Sequence, residues 1–116
     1  MSTTKERISI TQETEPVNVT FEGAVIASTK RALILRETGH APVYYIPRED
    51  VAMEFLLPTA HTSHCPYKGD ARYWSISAGG HAAPNAVWGY EHPKAGVEAI
   101  ADCVAFYPDM VEIRVG

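Results

Sequence analysis

The sequence is short of several things, and each shortage removes a class of function. Only two cysteines, Cys65 and Cys103, occur in 116 residues. They make no disulfide framework, and neither belongs to a Cys-x-x-Cys pair, so a cysteine-based structural zinc site has no ligand pattern to rest on. Both are expected as free thiols in a reducing compartment. No apolar stretch approaches the roughly 18 residues of a membrane-spanning helix. Met1 to Arg7 are polar with no apolar segment behind them, which argues against a secretory leader. Lys and Arg are in the minority, 10 against 14 Asp and Glu, for a formal net charge of -4. A general nucleic-acid binder needs a basic face that displaces counterions. The one basic cluster, Lys30, Arg31 and Arg36, reads as a solvated turn. The expectation is a cytoplasmic protein without membrane attachment or general nucleic-acid binding.

What is present is an ordinary globular composition, 46% hydrophobic and 21% charged, in a chain long enough for one domain with a real core. There is no internal repeat and no low-complexity segment. Residues 1–16 are polar and read as a loose arm, with Ile8 and Ile10 hinting at a short edge strand; residues 17–116 read as a single β domain. Val17, Val19 and Phe21 alternate with Asn18 and Thr20, the period-2 mark of a half-buried strand. Glu22-Gly23 is a tight-turn signal. Strands are expected at Ala24 to Ser28, Ala32 to Arg36 and Val43 to Ile46, joined by connections too short for parallel crossovers.

Pro47-Arg48-Glu49-Asp50 predicts a single helical turn, with Pro first and acids near its N-terminus. Met53 to Leu57 alternates and reads as a strand ended by Pro58. Ala71 to Ser77 predicts a strand with Trp74 and Ile76 on one face and Tyr73 on the other. Ala86 to Tyr90 returns antiparallel, placing Trp88 and Tyr90 on a shared face, and Gly89 marks close approach by a ligand or another backbone. A short helix is expected near Lys94 to Ala99, weakened by Gly96. Cys103 to Tyr107 and Met110 to Val115 suggest a closing hairpin, with Val111, Ile113 and Val115 toward the core. The sum is roughly eight short strands and at most two helical turns: a mainly β fold of antiparallel sheets, as a curled sheet, a partly closed barrel or a sandwich.

The stretch His61 to Asp70 holds the densest set of reactive side chains: two His, Cys65, Tyr67, Lys68 and Asp70. His61, His64 and Cys65 have the i, i+3, i+4 spacing of a metal site on a helix, but Pro58 and Pro66 oppose a helix, so no metal is assigned. Cys65 is a candidate nucleophile if a His turns toward it, and otherwise packs a tight turn beside Pro66. Lys68, between Tyr67 and Gly69, suits a carboxylate or phosphate, or pins its loop by a salt bridge to Asp50, Asp70 or Glu91. Tyr44, Tyr45, Tyr67, Trp74, Trp88, Tyr90 and Tyr107 are core aromatics or, in part, the wall of an apolar pocket with a few polar groups. Tyr44 and Tyr45 face opposite sides of a sheet, so one lies outside the main core. Asp50 either caps a turn or pairs with Lys68.

Four segments in order then carry a resemblance: Val43-Tyr44-Tyr45-Ile46-Pro47-Arg48-Glu49-Asp50-Val51, Cys65-Pro66-Tyr67-Lys68-Gly69, Asn85-Ala86-Val87-Trp88-Gly89-Tyr90 followed by Pro93, and Val104-Ala105-Phe106-Tyr107-Pro108. Together they resemble the DUF427 family, small and mostly bacterial proteins of uncharacterised function, from about Val17 to Val115. The resemblance implies a mainly β fold similar to the β-tent of Mss4-like domains, sheets meeting at an angle with a cleft between them. It carries over no zinc, because the two Cys-x-x-Cys pairs of many β-tents are absent, and no catalytic residue. A nucleotidyltransferase label attaches to the family, but the Gly-Ser with paired acids usual for that chemistry is missing here.

Three readings of function follow. The first is a binding module whose cleft, lined by Tyr45, Asp50, Tyr67, Lys68, Trp88 and Tyr90, takes a small anionic or planar ligand. The second is an enzyme using Cys65 as nucleophile or Lys68 as a base or electrostatic group. The third is a homodimeric scaffold built on a strand edge or aromatic patch. None calls for a cofactor.

Overall fold

The computed structural model describes residues 7–116. Ten strands account for most of them: β1 Ile8–Gln12, β2 Val17–Phe21, β3 Ala24–Thr29, β4 Leu33–Glu37, β5 Val43–Pro47, β6 Leu56–Cys65, β7 Gly69–Ala78, β8 His81–Gly89, β9 Cys103–Phe106 and β10 Glu112–Val115. The only helical pieces among the described residues are 3-10 turns at Arg48–Asp50, Met53–Phe55 and Glu98–Ile100. The mainly β reading therefore stands. None of these helices is long and apolar enough to cross a membrane.

The strands form two antiparallel sheets. One has seven strands in the order β1-β4-β5-β9-β8-β7-β6, the other three in the order β10-β2-β3. Period-2 alternation sends successive side chains of the large sheet to opposite faces. Along β9, Val104 and Phe106 enter one core while Cys103 and Ala105 enter another, and all four are buried. The first core lies between the two sheets, with Val17, Val19 and Ile26 of the small sheet against Ile76, Val87 and Val104 of the large one. The second lies on the far face of the large sheet, built from Leu35, Tyr45, Tyr73, Tyr90, Ile100 and Ala105. Val51 bridges Ala27 and so ties the two sheets together.

Some local expectations are corrected. Met53–Phe55 is a 3-10 turn rather than a strand, because the chain must swing from the Val51 bridge into β6 within a few residues. Pro58 does not end the strand: β6 runs on through it to Cys65. That is allowed because β6 is a sheet edge, where an outward position needs no ladder donor. The helix expected over Lys94 to Ala99 shrinks to Glu98–Ile100, since Gly96 is left-handed at φ 98° and breaks it. Cys103 to Tyr107 and Met110 to Val115 do not pair as a hairpin. Both edges of β9 are occupied, by β5 and β8, and the turn after Tyr107 delivers β10 to β2 instead. Val111 and Ile113 pack on the inter-sheet core, but Val115 is exposed. The polar arm before Val17 contains β1, paired with β4 from Ile8↔Glu37 to Gln12↔Leu33; its residues 1–6 lie outside the described residues.

Candidate functional site

The His61 to Asp70 stretch is not a free loop. It is the end of β6, a reversal, and the start of β7. Pro66 occupies the second position of a turn closed by the Lys68 amide donating to the Cys65 carbonyl at 3.2 Å. The Lys94 amide donates to the Lys68 carbonyl at 3.0 Å, locking the turn from outside. Gly69 follows at φ 115°, and a Cβ there would stand 3.3 Å from the His92 carbonyl oxygen, so glycine is the residue that fits. The corner is thus rigid, and it aims Lys68 inward.

Lys68 Nζ lies 2.8 Å from Glu37 Oε1, with the two side chains only 12% and 9% exposed. Arg7 reaches the other Glu37 oxygen at 3.3 Å, and its guanidinium stacks 4.0 Å above the Tyr67 ring. Arg7 Nε is buried without a hydrogen-bond partner among the described residues. Burial alone would raise the Glu37 carboxyl, but the Lys68 hydrogen bond and the Lys68, His40 and Arg7 charges outweigh it and hold it below its ordinary value. Glu37 therefore stays ionised, and the triad carries one net positive charge in a chain that is acidic as a whole.

This triad sits in a cavity of about 420 Å³ that Tyr45, Cys65, Tyr67, Lys68, Trp88 and Tyr90 all line. Trp88 Nε1 donates to the Tyr45 hydroxyl at 3.2 Å, and the rings meet edge-on. Lys68 Nζ lies 5.9 Å from the centre of the Tyr90 ring. Burial pushes the Tyr45 and Tyr90 hydroxyls well above the ordinary tyrosine value, so both remain neutral donors. Tyr45 faces this cavity, whereas Tyr44 packs on the inter-sheet core, as adjacent strand residues must. Gly89 is where β9 comes close: a Cβ would be 2.9 Å from the Cys103 carbonyl oxygen, so the approaching group is backbone.

Asp50 is the one candidate binding residue that stands elsewhere. The Arg48–Asp50 turn directs it toward β3, where its Oδ2 accepts from Thr29 Oγ1 at 2.7 Å and from Arg31 Nη2 at 3.1 Å. Those bonds, the Thr29 one first, hold its carboxyl below its ordinary value. Lys68 takes Glu37 rather than Asp50, Asp70 or Glu91. Asp70 instead holds His64 Nδ1 at 2.7 Å, and Glu91 takes Arg48 and Arg72. His61 packs on Tyr73, with ring centres 4.4 Å apart. Cys65 is half-buried at the cavity wall, and its neighbour His64 is turned to Asp70. Among the described residues, no three His, Cys, Asp or Glu side chains gather as a metal-binding set.

Arg7 and Glu37 are the site residues the sequence did not announce. Glu37 fell in an expected loop and Arg7 in the polar arm. The usable signal was the pairing of Ile8 and Ile10 with the edge of β4, which brings both residues to the same end of the sheet.

Residues 9–116 match the model of a domain of unknown function, DUF427. No curated protein matches the chain.

Proposed function

On the premise that the chain belongs to the DUF427 family, whose description assigns no activity, we propose that this protein is a small-molecule binding module for an anionic or planar ligand seated around Lys68. The observation that carries this reading is a largely buried lysine in a cavity of about 420 Å³ walled by Tyr45, Tyr67, Trp88 and Tyr90. Volume and lining match the usual small-molecule site, mostly apolar with a few fixed polar groups. The aromatic walls suit a planar group, and Lys68 with Arg7 supplies the counter-charge. Tyr67 is exposed at the mouth, and Tyr45 and Tyr90 form the buried floor. A cytoplasmic location fits two free thiols.

The second reading, an enzyme, rests on Cys65 lining the same cavity. Its weakness is the absence of a histidine bonded to that sulfur, since His64 is committed to Asp70. The homodimer reading draws on the ten-residue edge strand β6, which contains no Lys, Arg, Asp or Glu.

A thermal-shift screen of small carboxylates, phosphates, nucleotides and planar aromatics, run on the wild type and on Lys68→Ala, tests the binding reading. The expected result is a compound class that raises the melting temperature of the wild type alone. Lys68→Arg, which keeps the charge, should retain part of the shift. A screen in which no compound separates wild type from Lys68→Ala overturns the reading.

A further inference from the structure

A second cavity of about 420 Å³ adjoins the first and lacks its charged groups. Pro42, Tyr44, Phe106, Pro108, Ile113 and Val115 line it, and no charged residue among the described residues does. The two cavities share four wall residues: Ala41, Val43, Trp88 and Tyr107. Trp88 and Tyr107 stand together, with ring centres 4.5 Å apart.

The groove exists because the large sheet splits. β5 and β9 pair only at Ile46↔Val104 and Pro47↔Cys103, so Val43 and Tyr44 diverge from Phe106 and Tyr107. The apolar walls of the groove are the sides of that split, and Val115 at its rim is exposed. An isolated apolar groove names no occupant. This one continues from a cavity in which a largely buried Lys68–Glu37 pair is joined by the partly exposed Arg7, for a net positive charge.

Resting on the binding reading above, we infer that the ligand is an amphipathic monoanion: a carboxylate head at Lys68 and an apolar chain running past Trp88 and Tyr107 into the groove. One negative charge is what the Arg7–Glu37–Lys68 triad balances. Two cations share one carboxylate, with both Glu37 oxygens already engaged. A phosphate dianion would leave one charge uncompensated beside the largely buried Lys68–Glu37 pair. The chain follows from the groove, whose surface is mostly apolar, so that each methylene removed from water there contributes favourably.

The test is a titration followed by calorimetry with butanoate, hexanoate, octanoate and decanoate, alongside benzoate, decanol and decyl phosphate. It is run on the wild type, Lys68→Ala and Val115→Glu. Affinity should rise with chain length, decanoate binding at least about tenfold tighter than butanoate, and decanoate should exceed decanol and decyl phosphate. Val115→Glu, at an exposed position, should flatten the chain-length series and leave benzoate binding unchanged. Lys68→Ala should weaken benzoate and every carboxylate. Should benzoate bind through Lys68 while the series is flat, the cleft stands and the apolar subsite falls. Absence of any Lys68-dependent binding removes both. A chain-length gain that survives Val115→Glu places the chain elsewhere and also overturns the inference.

Discussion

The two faces of the large sheet are made by the same strands and end up as different materials. One face meets the three-stranded sheet and is filled with Val17, Val19, Ile26, Ile76, Val87 and Val104, all 0% exposed. The other carries Tyr45, Tyr73 and Tyr90 with Trp88 at its margin, and only part of it is roofed, by the segment around Val97 and Ile100. Branched aliphatics, with Trp74, Phe21 and Phe106 among them, close-pack this slot and carry few polar atoms to satisfy. Aromatics with a hydroxyl or indole N–H suit a face that stays partly open, as the Trp88–Tyr45 bond shows. The lesson is that what covers a face, and not the strand beneath it, decides whether it becomes core or site.

The contrast can be broken most directly in the closed core. Ile76→Ala removes an entirely buried side chain between two sheets, and is expected to cost about 2–5 kcal/mol in urea unfolding. Gly89→Ala comes next, at about 1–3 kcal/mol, because its Cβ would meet the Cys103 carbonyl oxygen at 2.9 Å and β9 is held on both edges. On the cleft face, Tyr45→Phe loses the acceptor of the Trp88 N–H while keeping the ring, for about 1 kcal/mol. Equal losses for Ile76→Ala and Tyr45→Phe would erase the distinction between the faces.

Two smaller effects sharpen it. Glu37 has a folded-state value held below its unfolded one, so its contribution is present at neutral pH and is lost as pH falls through that lowered value. The wild type should therefore lose melting temperature at acid pH more steeply than Glu37→Gln, measured by calorimetry across the acid range. The smallest effect is a labelling difference between the thiols. Cys103 is buried, and burial pushes its thiol up to about 11, whereas Cys65 is half-buried at the cavity wall. A thiol reagent should titrate Cys65 in the native protein and Cys103 only on unfolding.

Much of the fold is legible in local patterns. Trp74 and Ile76 against Tyr73 reads correctly from alternation, because β7 is buried on both faces and each face selects its own residues. The Cys65 to Gly69 turn is legible from Pro66 and Gly69. What escapes is set by partners distant in sequence. Nothing near Glu37 says that Lys68, 31 residues on, will meet it. Nothing near Pro58 says that β6 will be an edge, which is what lets the strand continue. The β9–β10 segment has the residues of a hairpin, and only the occupancy of both β9 edges sends β10 to the other sheet. Asp50 is a short-range case that remained ambiguous: its carboxylate had cations in two directions, and the 3-10 turn chose Arg31.

The two-pair ladder between β5 and β9 has a consequence for how the molecule moves. In the strand order it divides the large sheet into two blocks, β1-β4-β5 and β9-β8-β7-β6, riveted near one end by Ile46, Pro47 and the Arg48 amide bonding the Asp102 carbonyl. Separating the blocks breaks few backbone bonds, so this seam is the natural path for a partial opening, and amides on either side should exchange with solvent as two cohorts. The Lys68–Glu37 bridge crosses the same seam as a latch, one partner on each block. A molecule lodged against both would act as a brace, and its arrival would register as slowed hydrogen exchange in strands it never touches.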